Sequence, residues 1–265
     1  MRMAAVLAAS ALALAACGKK DEKAADPSAA APATAEADKS ADVKMPAGFP
    51  KMTANYKGVY TGEMDGKART MTLEVAGWKR VRMETAHFNE KRAAAGDQMV
   101  LVMDDKEKRM VAFVSGPNAP KIAVVTPGMD SFFNEFAKWG AEDGKPPKKI
   151  GQDSVAGLSC DIWEAAPSAD GATPDRICVT RDGIFLWTKS GSSEKPEMVA
   201  TSIDRGSIDS SRFAVPAGFE IVDMGPCMKM GAEMSAAAQR GEKPDLSKLQ
   251  ECQAIGQKAA AVMGG

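Results

Sequence analysis

Histidine is almost missing from these 265 residues, with His87 the one instance. That excludes a histidine-based zinc site and any catalytic centre built on several imidazoles. A single His would suffice for a Ser/His/Asp triad, but no Gly-x-Ser-x-Gly elbow stands near a strand-to-helix junction. A phosphate loop is missing too. Gly62-Glu-Met-Asp-Gly66-Lys67-Ala68 has one residue too few between its glycines and no Ser or Thr after the lysine. Clusters of one charge sign are absent: 34 basic and 35 acidic residues give a net charge of -1, with no run of five like charges. No nucleic-acid partner is therefore expected. Asp and Glu are scattered, so no carboxylate pair suggests itself. The chain reads as non-enzymatic and without a cofactor. Beyond the N-terminus, no apolar stretch approaches the ~20 residues that span a bilayer.

What is present begins with a border. Arg2 supplies a positive start, and Met3 to Ala16 form an apolar stretch too short to span a membrane. Lys, Asp, Glu, Ala and Pro follow Cys17. Leu14-Ala15-Ala16-Cys17 resembles the lipobox of bacterial lipoproteins. That resemblance implies a signal peptide over 1–16, cleavage before Cys17, lipidation of its thiol and acylation of its new amino group. Acyl chains such as palmitate contribute about 0.8 kcal/mol per buried CH₂, so two or more hold a domain on a membrane durably. Gly18 rather than Asp follows the cysteine, which by the sorting pattern of such lipoproteins implies the outer membrane, facing the periplasm. Residues 17–45 are then anchor and tether. Their composition cannot bury enough apolar surface to offset chain ordering, and Pro27 and Pro32 interrupt any helix.

Four cysteines remain after Cys17, an even number in an exported chain, which is the arithmetic of disulfides. Of three pairings, Cys160–Cys178 and Cys227–Cys252 are expected, because each falls within one local unit.

Residues 46–225 alternate between apolar and polar in short segments separated by turn signals. Asp65-Gly66 and Asp182-Gly183 are two-residue hairpin signals. Met71, Leu73 and Val75 share one face of a strand, and Val81 and Met83 continue the pattern on the next. The second Asp-Gly turn sets Cys178 opposite Trp187. About ten strands are expected, without βαβ alternation. Segments 98–103 and 109–114 are apolar on both faces, so something must cover the second face. The nearest candidate is Phe132, Phe133, Phe136 and Trp139, which recur at helical spacing. They are either core laid across a curved sheet or the lid of a hydrophobic cavity that binds a ligand.

The succession of Tyr60, Lys67–Val75 and Lys79–Thr85, with the ending Phe213-Ala-Val-Pro216-Ala-Gly218-Phe219, resembles the LolA/LolB-like superfamily. Gly157 to Ile184 also resembles uncharacterised bacterial lipoproteins with a G-x-x-C…C-x-T-x-D-G-I pattern. The superfamily resemblance implies a mainly β fold: an incompletely closed antiparallel β-barrel with a covering helix over an apolar mouth. It also implies a lipid or lipoprotein as ligand, held as an acyl chain or other apolar group. A structural or interaction lipoprotein with a filled core is the competing expectation.

Residues 226–265 switch to helical periodicity and are expected to form an αα-hairpin, with Cys227, Met230 and Met234 on one face and Leu249, Cys252 and Ile255 on the other helix. Met224, Met228, Met230 and Met234 beside Cys227 are also of a type that selects Cu(I). Packing is the competing reading, because they do not all share a face.

Overall fold

The computed structural model describes residues 47–64, 66–127, 139, 145–167, 171–241 and 249–263. Cys17, the tether, and Phe132, Phe133 and Phe136 lie outside the described residues.

Among the described residues, twelve strands form a single sheet that is not closed. The first six are β1 (Asn55–Met64), β2 (Lys67–Ala76), β3 (Arg80–Ala86), β4 (Gln98–Asp104), β5 (Arg109–Ser115) and β6 (Ile122–Pro127). They make an antiparallel meander; the β1–β2 turn falls at the first Asp-Gly signal, whereas β3 and β4 are joined by residues 87–97, which hold a short helix. The next five are β7 (Lys148–Val155), β8 (Leu158–Glu164), β9 (Arg176–Val179), β10 (Phe185–Lys189) and β11 (Met198–Arg205). These make a second meander, joined to the first where β11 pairs β1. The last strand, β12 (Glu220–Asp223), pairs β6 in parallel at the far edge. That pairing departs from the all-antiparallel expectation. To reach the outer edge of β6, the chain leaving β11 crosses six strands and must cover roughly 34 Å at ~4.8 Å per strand.

The crossing segment supplies the cover that the apolar strands need. On one face Val100, Val102, Val111, Phe113 and Ala123 are buried under Ile208, Phe213, Val215 and Phe219. The Phe213–Phe219 segment, which the superfamily resemblance implies to be a last strand, is a strap: Ser210–Phe213 is a short 3₁₀ turn and strand structure resumes at Glu220. Arg212 on the strap donates two bonds to Glu74, at 2.9 and 3.1 Å. The buried Arg82 pairs with Glu84 and donates to the Arg212 carbonyl at 3.0 Å.

On the other face Met99, Leu101, Ala112, Val114 and Val124 pack against Val262, Ala259 and Met224. Val262 belongs to α3 (Leu249–Met263), which follows α2 (Gly225–Gln239); the short α1 is Glu90–Ala94. The helical hairpin thus packs on the sheet through α3. Among the described residues, both faces of β4–β6 are covered by the strap and by α3. The expectation that 132–139 supplies that cover falls, apart from Trp139, outside the described residues; two later segments, the strap and α3, lie against these faces. Trp139 instead packs against the main core cluster.

That main cluster is aromatic. The register sets Tyr56, Val75, Val81 and Met103 side by side on one face, joined by Tyr60, Trp78, Trp163, Phe185 and Leu186. Trp78 donates to the Gly183 carbonyl at 2.8 Å and meets the Phe185 ring edge-on at 5.3 Å. Tyr60 donates to the Phe185 carbonyl at 2.8 Å. Burial pushes the Tyr60 phenol up to about 12. Residues 51–54 dock on the second Asp-Gly turn, with Thr53 and Ala54 donating to the Asp182 carbonyl at 3.0 and 2.9 Å. Gly183 has φ +93°, and a β-carbon there would lie 2.7 Å from Met52. Only glycine fits between that turn and the incoming chain.

Both expected pairs of cysteines are bridged. Cys160 and Cys178 have α-carbons 5.5 Å apart, and Cys227 and Cys252 5.4 Å. The first bridge runs diagonally rather than between facing residues, because the residue opposite Cys178 is Ile162.

Candidate functional site

The second meander carries an apolar surface on the side opposite Trp163 and Ile177. Registered partners share a face, and the register sets Ile162, Cys178, Trp187 and Val199 in one row across β8, β9, β10 and β11. β7 bends over this row. Its Asp153 accepts from the Trp187 indole N–H at 2.9 Å, although two strands lie between them. A β-bulge at Ile150 breaks the β7 ladder and leaves that side chain 46% exposed. The result is a cavity of about 440 Å³, open on one side. Its apolar wall is Ile150, Val155, Ile162, Trp187, Pro196 and Val199, with Asp153, Arg176 and Lys189 as its polar groups.

Each polar group has a fixed place. Asp153 also accepts from the Ser154 amide at 2.7 Å. Arg176 donates to Glu164 through Nε at 2.9 Å and pairs with the same oxygen through Nη2 at 2.8 Å. Lys189 donates to the Glu194 carbonyl at 3.0 Å. Nothing here places a nucleophile beside a base.

A second, polar cleft of about 400 Å³ is lined by Gln152, Asp161, Arg181, Asp182 and Arg205. Burial raises the Asp161 carboxyl, but Lys149 and Gln152 outweigh it and hold the group below the usual range. Burial likewise raises Asp182, while Arg205 and Thr180 hold it lower. Two ionised, paired carboxylates make poor proton donors at neutral pH.

The aromatic site expected from the sequence is represented by Trp139 alone among the described residues, and Trp139 does not line the trough. The methionines do not converge. Met224 packs against the β4–β6 face, Met228 is 48% exposed, and Met230 and Met234 are half-buried on α2. Among the described residues, no group of three or more His, Cys, Asp or Glu could hold a metal ion. His87 is fully buried rather than merely polar at a strand end: its Nδ1 accepts from the Asn89 amide at 2.9 Å and its Nε2 lies 3.2 Å from the Val262 carbonyl of α3. Sequence reasoning missed the trough. Its signal was the shared parity of Ile162, Cys178 and Trp187 across two neighbouring turns.

No family model matches the chain, and no curated protein matches it in sequence. Among solved structures, an uncharacterized conserved protein from Thermus thermophilus aligns with a TM-score of 0.44 and 9% identity, over 65% of this chain and 92% of its own. The Pseudomonas aeruginosa MucA/MucB complex gives 0.39 and 16%, over 65% of this chain and 59% of that one. PNGF-II gives 0.38 and 16%, over 64% of this chain and 31% of that one. The chain spans less than two thirds of the length of the last two, and none of these likenesses assigns it a ligand, partner or reaction.

Proposed function

We propose that this protein is a cell-envelope lipoprotein whose folded domain is a non-enzymatic binding module for an acyl chain or other apolar ligand. Cys17 carries the lipid anchor, and the tether places the domain on the periplasmic side of the outer membrane. The observation that carries the binding reading is the open apolar trough of β7–β11. Its volume falls within the range of about 300–1,000 Å³ typical of small-molecule sites. An aliphatic chain laid on Ile162, Trp187 and Val199 would remove both surfaces from water, at about 25 cal/mol per Å².

A second reading keeps the domain as a structural or interaction module. The main core favours it, since Tyr56, Tyr60, Trp78, Trp163 and Phe185 leave the centre of the sheet filled by the protein's own side chains. Native mass spectrometry of protein purified from cell envelopes separates the two. The binding reading expects a mass excess of one apolar molecule that is lost on solvent extraction. Protein that is always bare, and takes up no added fatty acid, would leave the structural reading. Peptide mass spectrometry of the same preparation should find an acylated Cys17; an unmodified Cys17 within an uncleaved or soluble chain would overturn the anchor.

A further inference from the structure

Basic side chains gather at one end of the trough. Lys148, Glu164, Arg176 and Lys189 are direct neighbours across β7, β8, β9 and β10, so all four project from the face that carries Ile162 and Trp187. This rung sets three cations against one carboxylate. Glu164 is committed to Arg176, and Lys189 reaches only a backbone carbonyl. Two other acids face this end. Glu197 accepts from the Ser190 and Ser193 hydroxyls at 2.5 and 3.0 Å, and Glu194 is engaged by Lys189 through its carbonyl rather than its carboxylate. At the opposite end Asp153 is held by the Trp187 indole and the Ser154 amide. Like charges directly opposite one another on adjacent strands, as Arg176 and Lys189 are, destabilise a sheet unless an anion lies between them.

We propose that the trough takes a single-chain anionic amphiphile, its carboxylate or phosphate head on the Lys148–Arg176–Lys189 rung and its chain along Ile162, Trp187 and Val199. This rests on the binding function assigned above and adds the head-group class and its place. The bulge at Ile150 leaves the mouth open beside the rung, so a head group can remain partly hydrated while the chain is covered. Lys189 would exchange its bond to the Glu194 carbonyl for the head group and Lys148 would turn toward it, since the guanidinium of Arg176 is oriented by Glu164.

The test uses two probes on the folded protein, 11-(dansylamino)undecanoic acid and the matching undecanol, each below its micellar concentration. The acid is expected to bind about tenfold more tightly than the alcohol, as one charge-assisted contact would give. Lys189→Met and Lys148→Met should each reduce that preference, with circular dichroism showing that the variants remain folded. Inorganic phosphate should not displace the acid at equal concentration. Equal affinity for acid and alcohol would overturn the head-group assignment and leave the apolar trough standing. Loss of alcohol binding in step with acid binding in both variants would mean that the lysines shape the trough rather than read a charge. Displacement by phosphate alone would make the rung a simple anion site. Binding of neither probe would overturn the binding function as well.

Discussion

Tyr60 lies across Gly58 on its own strand, and a β-carbon at residue 58 would sit 2.6 Å from the Tyr60 ring. Gly58→Ala should therefore destabilise the domain by about 1–3 kcal/mol, the usual penalty of overpacking, measured by urea unfolding. A variant as stable as the parent would show that the ring has room to move and that the core is not filled there. Glu74 carries a second residue-level prediction. It is nearly buried beside the buried Arg82 and takes both bonds from Arg212. Removing it by Glu74→Ala leaves Arg82 under-compensated and releases the strap, a loss of about 3–5 kcal/mol by the behaviour of broken buried pairs. Replacing Glu74 and Arg82 together by leucine should cost less than the single change. Neither contact was legible in the sequence. The strand pattern marks Glu74 as outward-facing, and only the return of a distant strap turns that outer face into an interior.

The strap and α3 show why element boundaries were easier to read than element roles. Turn residues and alternation are local, so the hairpins β1–β2 and β9–β10 follow from Asp-Gly signals within a few residues. Which segment covers the two-sided apolar strands is decided by chain return over more than a hundred residues. Periodicity says nothing about that choice, so the strap and α3 could not be picked out as covers from the sequence. The helical hairpin is a cover as well as a stapled unit. Breaking the Cys227–Cys252 bridge by serine substitution should cost about 3–4 kcal/mol for a loop of this length. Hydrogen exchange should rise in β4–β6 as well as in α2, because Val262 and Ala259 of α3 close that face. Faster exchange in the helices alone would mean that the sheet does not depend on them.

The whole molecule should meet acid in one sense only. Burial raises the carboxyls of Asp161 and Asp182, but Lys149 and Arg205 outweigh it and hold both below the ordinary range in the folded state. Their contribution is complete above the usual aspartate value of about 3.9 and is lost as pH falls through the lower folded values. Urea midpoints should therefore be level from about pH 7 to about 5 and drop below about 4, and Asp182→Asn should flatten part of that drop. A steady decline beginning near neutrality would point to groups other than these. At this scale the mainly β, open sheet and both disulfides were readable, because alternation and cysteine spacing survive any tertiary arrangement. The trough was not, because it needs β7 to bend over β10, and only a bulge at Ile150 and one indole–carboxylate bond record that bend. The most direct test of a ligand in that trough uses the four tryptophan side chains as separate reporters. In a ¹H–¹⁵N spectrum titrated with a medium-chain fatty acid, the indole resonance of Trp187 should shift progressively, as its bond to Asp153 is covered or displaced. Those of Trp78 and Trp163, locked in the filled core, should stay in place. Shifts at Trp163 or Trp139 with Trp187 unmoved would put the ligand on the aromatic side, and no shift at any of the four would contradict binding altogether.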